Sequence, residues 1–305
     1  MGPRPTRPVL RYYGGKWRLA PWVISHFPPH RTYVEPFGGA ASVLMRKPRS
    51  YAEVYNDLDE EVVNVFRVLR RPALARQLRR YVELTPFARA EFEEAYSSDS
   101  ADQVERARRT LIKAFMSFSS TGMFSDRARG MRTHASRQGI GTGFRGIGRA
   151  AGANAASDWA RWPQAIPAFT ERLRGVVIDR RPALDVMAQH DDVDTLHYVD
   201  PPYVLGTRGD NRLRGAGSGG SVYRHEMVDD DHRELLAFLR ELSGMVVISG
   251  YPTSLYDDLL RDWTRLEREH RADHAKATVE CLWLNSAVTD RLVQPDLWEG
   301  LHAVS

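Results

Sequence analysis

Tyr33-Val34-Glu35-Pro36-Phe37-Gly38-Gly39-Ala40-Ala41-Ser42 reads as a strand that runs into a loop of small residues and then into an apolar helical lead, Val43-Leu44-Met45. Small residues directly after a first strand let the backbone approach a bound ligand closely, as in nucleotide-binding α/β proteins. Three glycines at the dinucleotide spacing are missing, so a nicotinamide or flavin enzyme is disfavoured. A carboxylate such as Glu35 beside this turn suits a cation better than a pyrophosphate. An ordinary tight strand-to-helix turn would use the same residues, so the stretch points to a fold and leaves its ligand open.

Working outward, short β-branched runs that end in turn residues recur at both ends of the chain. The strands expected are Thr32 to Glu35, Tyr51 to Tyr55, Gly175 to Asp179, Thr195 to Asp200, Met245 to Ser249 and Glu280 to Asn285. Interleaved with helical spacing, they predict an α/β fold with a mostly parallel sheet. Between the second and third strands the period becomes helical: Leu58, Val62, Val65 and Leu69 share one face, and Pro72 breaks the run. Thr85-Pro86 reads as the cap and first turn of another helix. Residues 119–152 then hold eight glycines, six arginines and one acid, Asp126. This is a basic insert, and a second glycine-rich stretch covers 206–221. The α/β body is accordingly expected from 1–66 and 168–305, with 67–167 inserted.

Forty-three Lys plus Arg stand against 39 Asp plus Glu, an excess of four that by itself indicates no nucleic-acid partner. What matters is the local clustering of arginine. The single cysteine, Cys281, excludes an internal disulfide and any cysteine-cluster zinc site. No apolar run of the ~18 residues needed to span a bilayer occurs, nor does an N-terminal secretory segment. A cytosolic protein without membrane partners is expected.

Val199-Asp200-Pro201-Pro202-Tyr203 places a carboxylate, two prolines and an aromatic just past a strand, where open α/β sheets bind ligands. Adjacent prolines remove two N–H donors and stiffen the backbone, which leaves carbonyl oxygens ready to accept. Asp200 and a nearby carbonyl could take both hydrogens of a nucleobase amine while Tyr203 stacks on the base. An amine delocalised into its ring is a poor nucleophile, and pulling on both hydrogens localises its lone pair. Such a base must first leave the duplex stack. A strand-end turn with a capping acid is the plainer alternative.

Tyr55-Asn56-Asp57-Leu58-Asp59 follows the glycines by about 20 residues, the position at which many nucleotide-binding folds hold ribose hydroxyls. Asp57 is the candidate, and Asp59 suits the start of a helix. Arg11-Tyr12-Tyr13-Gly14-Gly15-Lys16-Trp17 adds aromatic faces and a cation on a glycine turn. His270 and His274 stand at i, i+4 but have no third ligand, so a solvated helix face is expected there and no metal.

Taken together, these motifs resemble the Dam-type DNA adenine methyltransferases of phages and bacteria, in the order glycine-lysine turn, cofactor loop, ribose acid, inserted recognition region, Asp-Pro-Pro-Tyr. The resemblance implies a doubly wound, Rossmann-like sheet that uses S-adenosylmethionine, with an inserted helical and basic target-recognition domain. It matches Tyr12, Lys16, Asp57 and Asp200 to cofactor- and substrate-contacting positions. Glu35, Pro36, Phe37, Gly38 and Gly39 match the cofactor loop, and Asp200, Pro201, Pro202 and Tyr203 the catalytic motif. Ala41 departs from it, since relatives often carry a second loop glycine there. The resemblance also implies double-stranded DNA as partner, a monomer associated with the nucleoid, and action with a cognate restriction nuclease or as an orphan.

Arg127, Arg129, Arg132, Arg137 and Arg145 are the candidate DNA contacts, because arginine suits guanine edges and phosphates. Met116 to Phe124 looks like the lead-in to a recognition hairpin, although a disordered surface loop would read alike. Tyr223 to Met227 closes over the flipped base, touches phosphate, or simply leads into a helix capped by Asp229. Methylation of the cytosine 4-amino group, a catalytically dead DNA-binding relative, and an RNA substrate are the competing functions. No motif residue is lost, and no dedicated RNA module is present.

Overall fold

The computed structural model describes residues 2–97, 100–117, 122–124, 144–145, 154–204, 224–271 and 277–293. Seven strands form one sheet: β1 (Thr32–Glu35), β2 (Ala52–Asn56), β3 (Val177–Asp179), β4 (Thr195–Val199), β5 (Met245–Gly250), β6 (Thr264–Arg271) and β7 (Ala277–Leu284). Their order is β3-β2-β1-β4-β5-β7-β6. The first five run parallel, and β7 pairs antiparallel with both β5 and β6. The winding reverses between β1 and β4, which opens a crevice at their carboxyl ends, the usual ligand position in such sheets. This is the mixed, doubly wound α/β architecture the sequence led us to expect.

Helices α1 (Ala20–Ile24) and α2 (Ser42–Arg46) flank β1, and α3 (Glu60–Arg70) follows β2. Asp59 caps α3 by accepting from the main-chain N–H groups of Glu61 and Val62, which is the helix-start role its position suggested. Val62, Val65 and Leu69 are buried as their spacing requires, but Leu58 precedes the helix and is 38% exposed. Pro72 ends one helix by opening the next, α4 (Pro72–Leu84), at a position where its missing N–H costs nothing.

Thr85 does not open a helix as expected. It closes α4, with Oγ1 donating to Tyr81 O at 2.8 Å. The backbone already has a helical partner there, and the next helix, α5 (Arg89–Ser97), starts beyond Pro86. Next come α6 (Gln103–Met116), α7 (Ala155–Arg161) and α8 (Ile166–Arg172). Their apolar faces share one core with the sheet: Leu78, Val104, Leu111, Trp162 and Phe169 join Tyr33, Tyr55 and Leu196 in a single cluster. The expected boundary at 66/67 falls inside α3.

The chain then passes through α9 (Ala183–His190), α10 (Asp229–Glu241), α11 (Ser254–Leu259) and α12 (Ser286–Val293). All six residues of β5 are buried, as a strand covered on both faces must be. The sequence reading omitted β6 and began β7 late. Thr264–Arg271 is rich in charge, Thr-Arg-Leu-Glu-Arg-Glu-His-Arg, because it forms the sheet edge. His270 therefore lies in a strand and not on a helix face, and His274 lies outside the described residues. Among the described residues no helix is long and apolar enough to cross a membrane.

Candidate active site

A cavity of about 320 Å³ opens at the carboxyl edge between β1 and β4, within the size range of small-molecule pockets. Every residue expected to contact cofactor or substrate amine lines it: Tyr12, Lys16, Glu35 to Gly39, Asp57 and Asp200 to Tyr203.

The loop after β1 is packed too closely for side chains. A Cβ on Gly38 would lie 2.1 Å from the ring of Tyr55, so only glycine fits. Tyr55 in turn donates to Gly39 O at 2.8 Å, and Asn56 Nδ2 donates to Pro36 O at 2.9 Å. Glu35 is buried, and its Oε2 accepts from Tyr33 OH at 2.7 Å and from Leu44 N at 3.0 Å. Burial pushes Glu35 up to about 8 against the pull of those two bonds. The acid thus ties the loop to α2 while still bordering the cavity.

Asp57 accepts from Gly39 N through Oδ2 and from Asp59 N through Oδ1, both at 2.8 Å. Burial raises it to about 6, opposed by the same two bonds. A carboxylate offers about four lone-pair sites, so it retains capacity toward a diol. Arg224 pairs with Asp59 at 3.2 Å, and the segment from Arg224 to Met227 lines the cavity above these acids. The alternative in which Asp229 caps a helix is corrected in one detail. Asp231 takes that duty, accepting from Val228 N at 2.8 Å, because the helix starts at Asp229 itself. Tyr223 lies outside the described residues.

Near the N-terminus, Gly14 takes φ +74 and Gly15 N donates to Tyr12 O at 3.1 Å, which forms a turn that needs glycine at its third position. That turn sends Lys16 inward, where it is only 3% exposed. Its Nζ donates to Asp200 Oδ1 at 2.8 Å, to Tyr203 OH at 2.7 Å and to Gly14 O at 3.3 Å. Nζ lies 4.8 Å from the Tyr203 ring centroid but 2.7 Å from its hydroxyl. The contact is therefore a hydrogen bond at the ring's edge rather than a cation over its face. Burial works against the ammonium, yet Asp200 and Glu280 together hold Lys16 well above its ordinary value.

Asp200 Oδ1 also accepts from Ser249 Oγ at 2.9 Å, and Ser249 is linked to Tyr198 OH at 2.9 Å. Among the described residues, Oδ2 has no hydrogen bond. Tyr203 stacks on Tyr251 with centroids 4.2 Å apart and planes within 9°. Phe124 comes from the inserted region to meet Tyr12 edge-on at 5.1 Å and lines the same cavity.

Sequence reasoning missed Ser249, Tyr251, Phe124 and Glu280. Ser249 and Tyr251 end a predicted strand as Asp200 does, so the strand-end rule could have found them. Glu280 is a lone acid opening the apolar run Cys281-Leu282-Trp283-Leu284, which is a readable anomaly. Of the five candidate DNA-contacting arginines, only Arg145 is among the described residues. Its backbone N–H donates to Met116 O at 2.7 Å beside the bridge from Ser117 to Phe144. Arg127, Arg129, Arg132 and Arg137 lie outside the described residues.

Residues 12–125 match the family described as D12 class N6 adenine-specific DNA methyltransferase. Over that stretch the chain is similar to these adenine methyltransferases. They are S-adenosylmethionine-dependent transferases acting on DNA, and the mostly parallel seven-stranded sheet described above is consistent with their Rossmann-like fold. The match ends before Asp200, so it and the Asp-Pro-Pro-Tyr geometry are independent observations. No curated protein matches the chain.

Proposed function

We infer that the cavity holds S-adenosylmethionine and that an adenine flipped out of duplex DNA meets it at Asp200. The observation that carries this is the state of Asp200. Oδ1 is pinned by Lys16 and Ser249, while Oδ2 keeps its acceptor capacity at the carboxyl end of β4. The pocket suits the cofactor: a bare glycine loop, a buried acid for ribose hydroxyls at Asp57, aromatic edges from Tyr12, and acids that favour a cation. When bound, the cofactor supplies a sulfonium methyl whose C–S electron pair stays with sulfur as the amine nitrogen takes the carbon.

Asp200 Oδ2 and the carbonyl chain of Pro201 and Pro202 accept the two amine hydrogens, which localises the nitrogen lone pair toward the methyl carbon. Asp200 then receives the proton that the methylated nitrogen sheds. Tyr203, stacked on Tyr251 and lining the cavity, serves in this reading as the aromatic that stacks on the extruded base. Lys16 fixes Asp200 and Tyr203 relative to each other through one ammonium.

Residues 67–167 serve as the recognition domain, with 1–66 and 168–305 as the catalytic body. In this reading Arg127, Arg129, Arg132, Arg137 and Arg145 contact phosphates and base edges. Phe124 supports the assignment, because it joins the insert to the cofactor cavity.

Single-turnover transfer of labelled methyl groups to duplex DNA tests the site. Asp200→Ala should lower the rate by about a thousandfold or more, roughly 4 kcal/mol, with cofactor affinity nearly unchanged. A variant within about tenfold of wild type would remove Asp200 from the chemistry.

A further inference from the structure

Glu280 is fully buried in β7, and among the described residues neither of its carboxylate oxygens accepts a well-aligned hydrogen bond, the nearest donor being Lys16 Nζ. Its partner in an ion pair is Lys16, whose Nζ lies 3.3 Å from Oε1. An ammonium has three N–H groups. Those of Lys16 are taken up at short distance by Asp200 and Tyr203 and more loosely by Gly14, so Glu280 receives its charge through at most a long, poorly aligned contact. A carboxylate kept buried in this condition weakens the fold relative to an apolar residue, and buried ion pairs are poor sources of stability. The rest of β7 shows that apolar side chains suit this strand: Cys281, Leu282, Trp283 and Leu284 are all buried. Register explains where the acid arrives. Cys281 pairs with Gly250, so Glu280 reaches the edge of the sheet beside Tyr251, next to the Asp200 cluster.

We propose that Glu280 is a positioning residue for methyl transfer that acts through Lys16, sharing the ammonium with Asp200 so that Asp200 stays fixed yet keeps its strength as an acceptor. This rests on the reading of Asp200 given above. Without the second carboxylate, Lys16 would spend its whole charge on Asp200 and weaken its hold on the substrate amine.

The charged and titratable groups around Glu280 are Lys16 from the N-terminal turn, Asp200 and Tyr198 at the end of β4, Tyr251 after β5, and Arg268 and His270 from β6. Burial raises Glu280 to about 7, opposed by Lys16 and reinforced by Asp200. Its charge is therefore gained as pH rises through that value, and with it the transfer rate.

The test is single-turnover methyl transfer to duplex DNA at saturating cofactor, across about two pH units centred on this value, for wild type, Glu280→Gln and Glu280→Asp. Cofactor dissociation constants and thermal unfolding are measured alongside. Glu280→Gln should lose on the order of 30-fold in rate while binding cofactor within about threefold of wild type. It should also lose the rise in rate near neutrality, and Glu280→Asp should restore part of both. A Glu280→Gln rate within about threefold of wild type on an unchanged pH profile overturns the proposal, as does a loss confined to cofactor affinity. If Glu280→Gln does not fold, Glu280→Asp decides, because an unshifted pH profile in that variant contradicts the role. A wild-type chain that transfers no methyl to adenine would instead defeat the reading of the site itself.

Discussion

Two buried ion clusters lie at opposite ends of the same sheet, and they are built differently. At the amino-terminal end of β2, Glu53 has both oxygens engaged: Arg172 donates to Oε2 at 2.6 Å and to Oε1 at 2.8 Å, and Lys47 donates to Oε1 at 2.7 Å. At the carboxyl edge, among the described residues, Glu280 has an ion contact and no well-aligned hydrogen bond, and Asp200 is bonded through Oδ1 alone. Burial opposes the charge on both glutamates. At Glu53 the bonds from Arg172 and the charge of Lys47 win and hold the acid below its usual range, whereas at Glu280 burial wins. The cluster whose acid is satisfied, although Arg172 Nε finds no partner among the described residues, is architecture, closing the end of the sheet that faces away from the cavity. Unsatisfied polarity at the other end is held ready for a substrate.

Removing one partner of a satisfied buried pair strands a charge, so Arg172→Ala should cost about 3–5 kcal/mol of folding stability in denaturant titration. The rate of methyl transfer by the folded fraction should stay at the wild-type level. The sign with pH follows from a depressed folded-state value. Glu53 contributes stability above its ordinary pKa, and that contribution is lost as pH falls through the lower folded value. A loss below about 1 kcal/mol in Arg172→Ala would make the two clusters alike.

Asp57 sharpens the contrast because its folded-state value is raised, to about 6. Its contribution to stability is complete only below its ordinary value and disappears as pH rises through about 6, where the anion must be buried. Holding ribose hydroxyls requires the same anion, so cofactor affinity should fall as pH drops through that value. Asp57→Asn should bind cofactor about tenfold more weakly at neutral pH, a loss of about 1.4 kcal/mol, and show no such pH dependence. Calorimetric titration at two pH values checks this, and unchanged affinity in the variant would move the ribose to another group.

How much of this was legible in the sequence depends on whether a signal was local. The strand-end motifs at Glu35, Asp57 and Asp200 could be read because strand, turn and chemistry lie within ten residues of one another. Thr85 was misread because Thr-Pro fits the end of one helix as well as the start of another, and the choice was made by α4 preceding it. The edge strand β6 was invisible to a search for apolar alternation, since an edge carries charge. Glu280 was hardest to interpret, because its meaning comes from a contact with Lys16 across 264 positions of chain. Ala41 stands where the resemblance expects a second loop glycine, and the fold shows what an alanine entails there. It sits at φ +51, the left-handed region in which alanine is strained. Ala41→Gly should therefore stabilise the protein by about 0.5–1 kcal/mol, the smallest effect expected here, seen as a raised unfolding midpoint. A lowered midpoint would mean that the Ala41 methyl contributes more to packing than it costs in strain.

The most direct test of the central claim is chemical identification of the product. Duplex DNA incubated with the protein and methyl-labelled S-adenosylmethionine is digested to nucleosides and resolved by mass spectrometry. The account predicts label in N6-methyl-2′-deoxyadenosine, abolished by Asp200→Ala. Label in N4-methyl-2′-deoxycytidine, or none in any nucleoside from the wild-type protein, would contradict it.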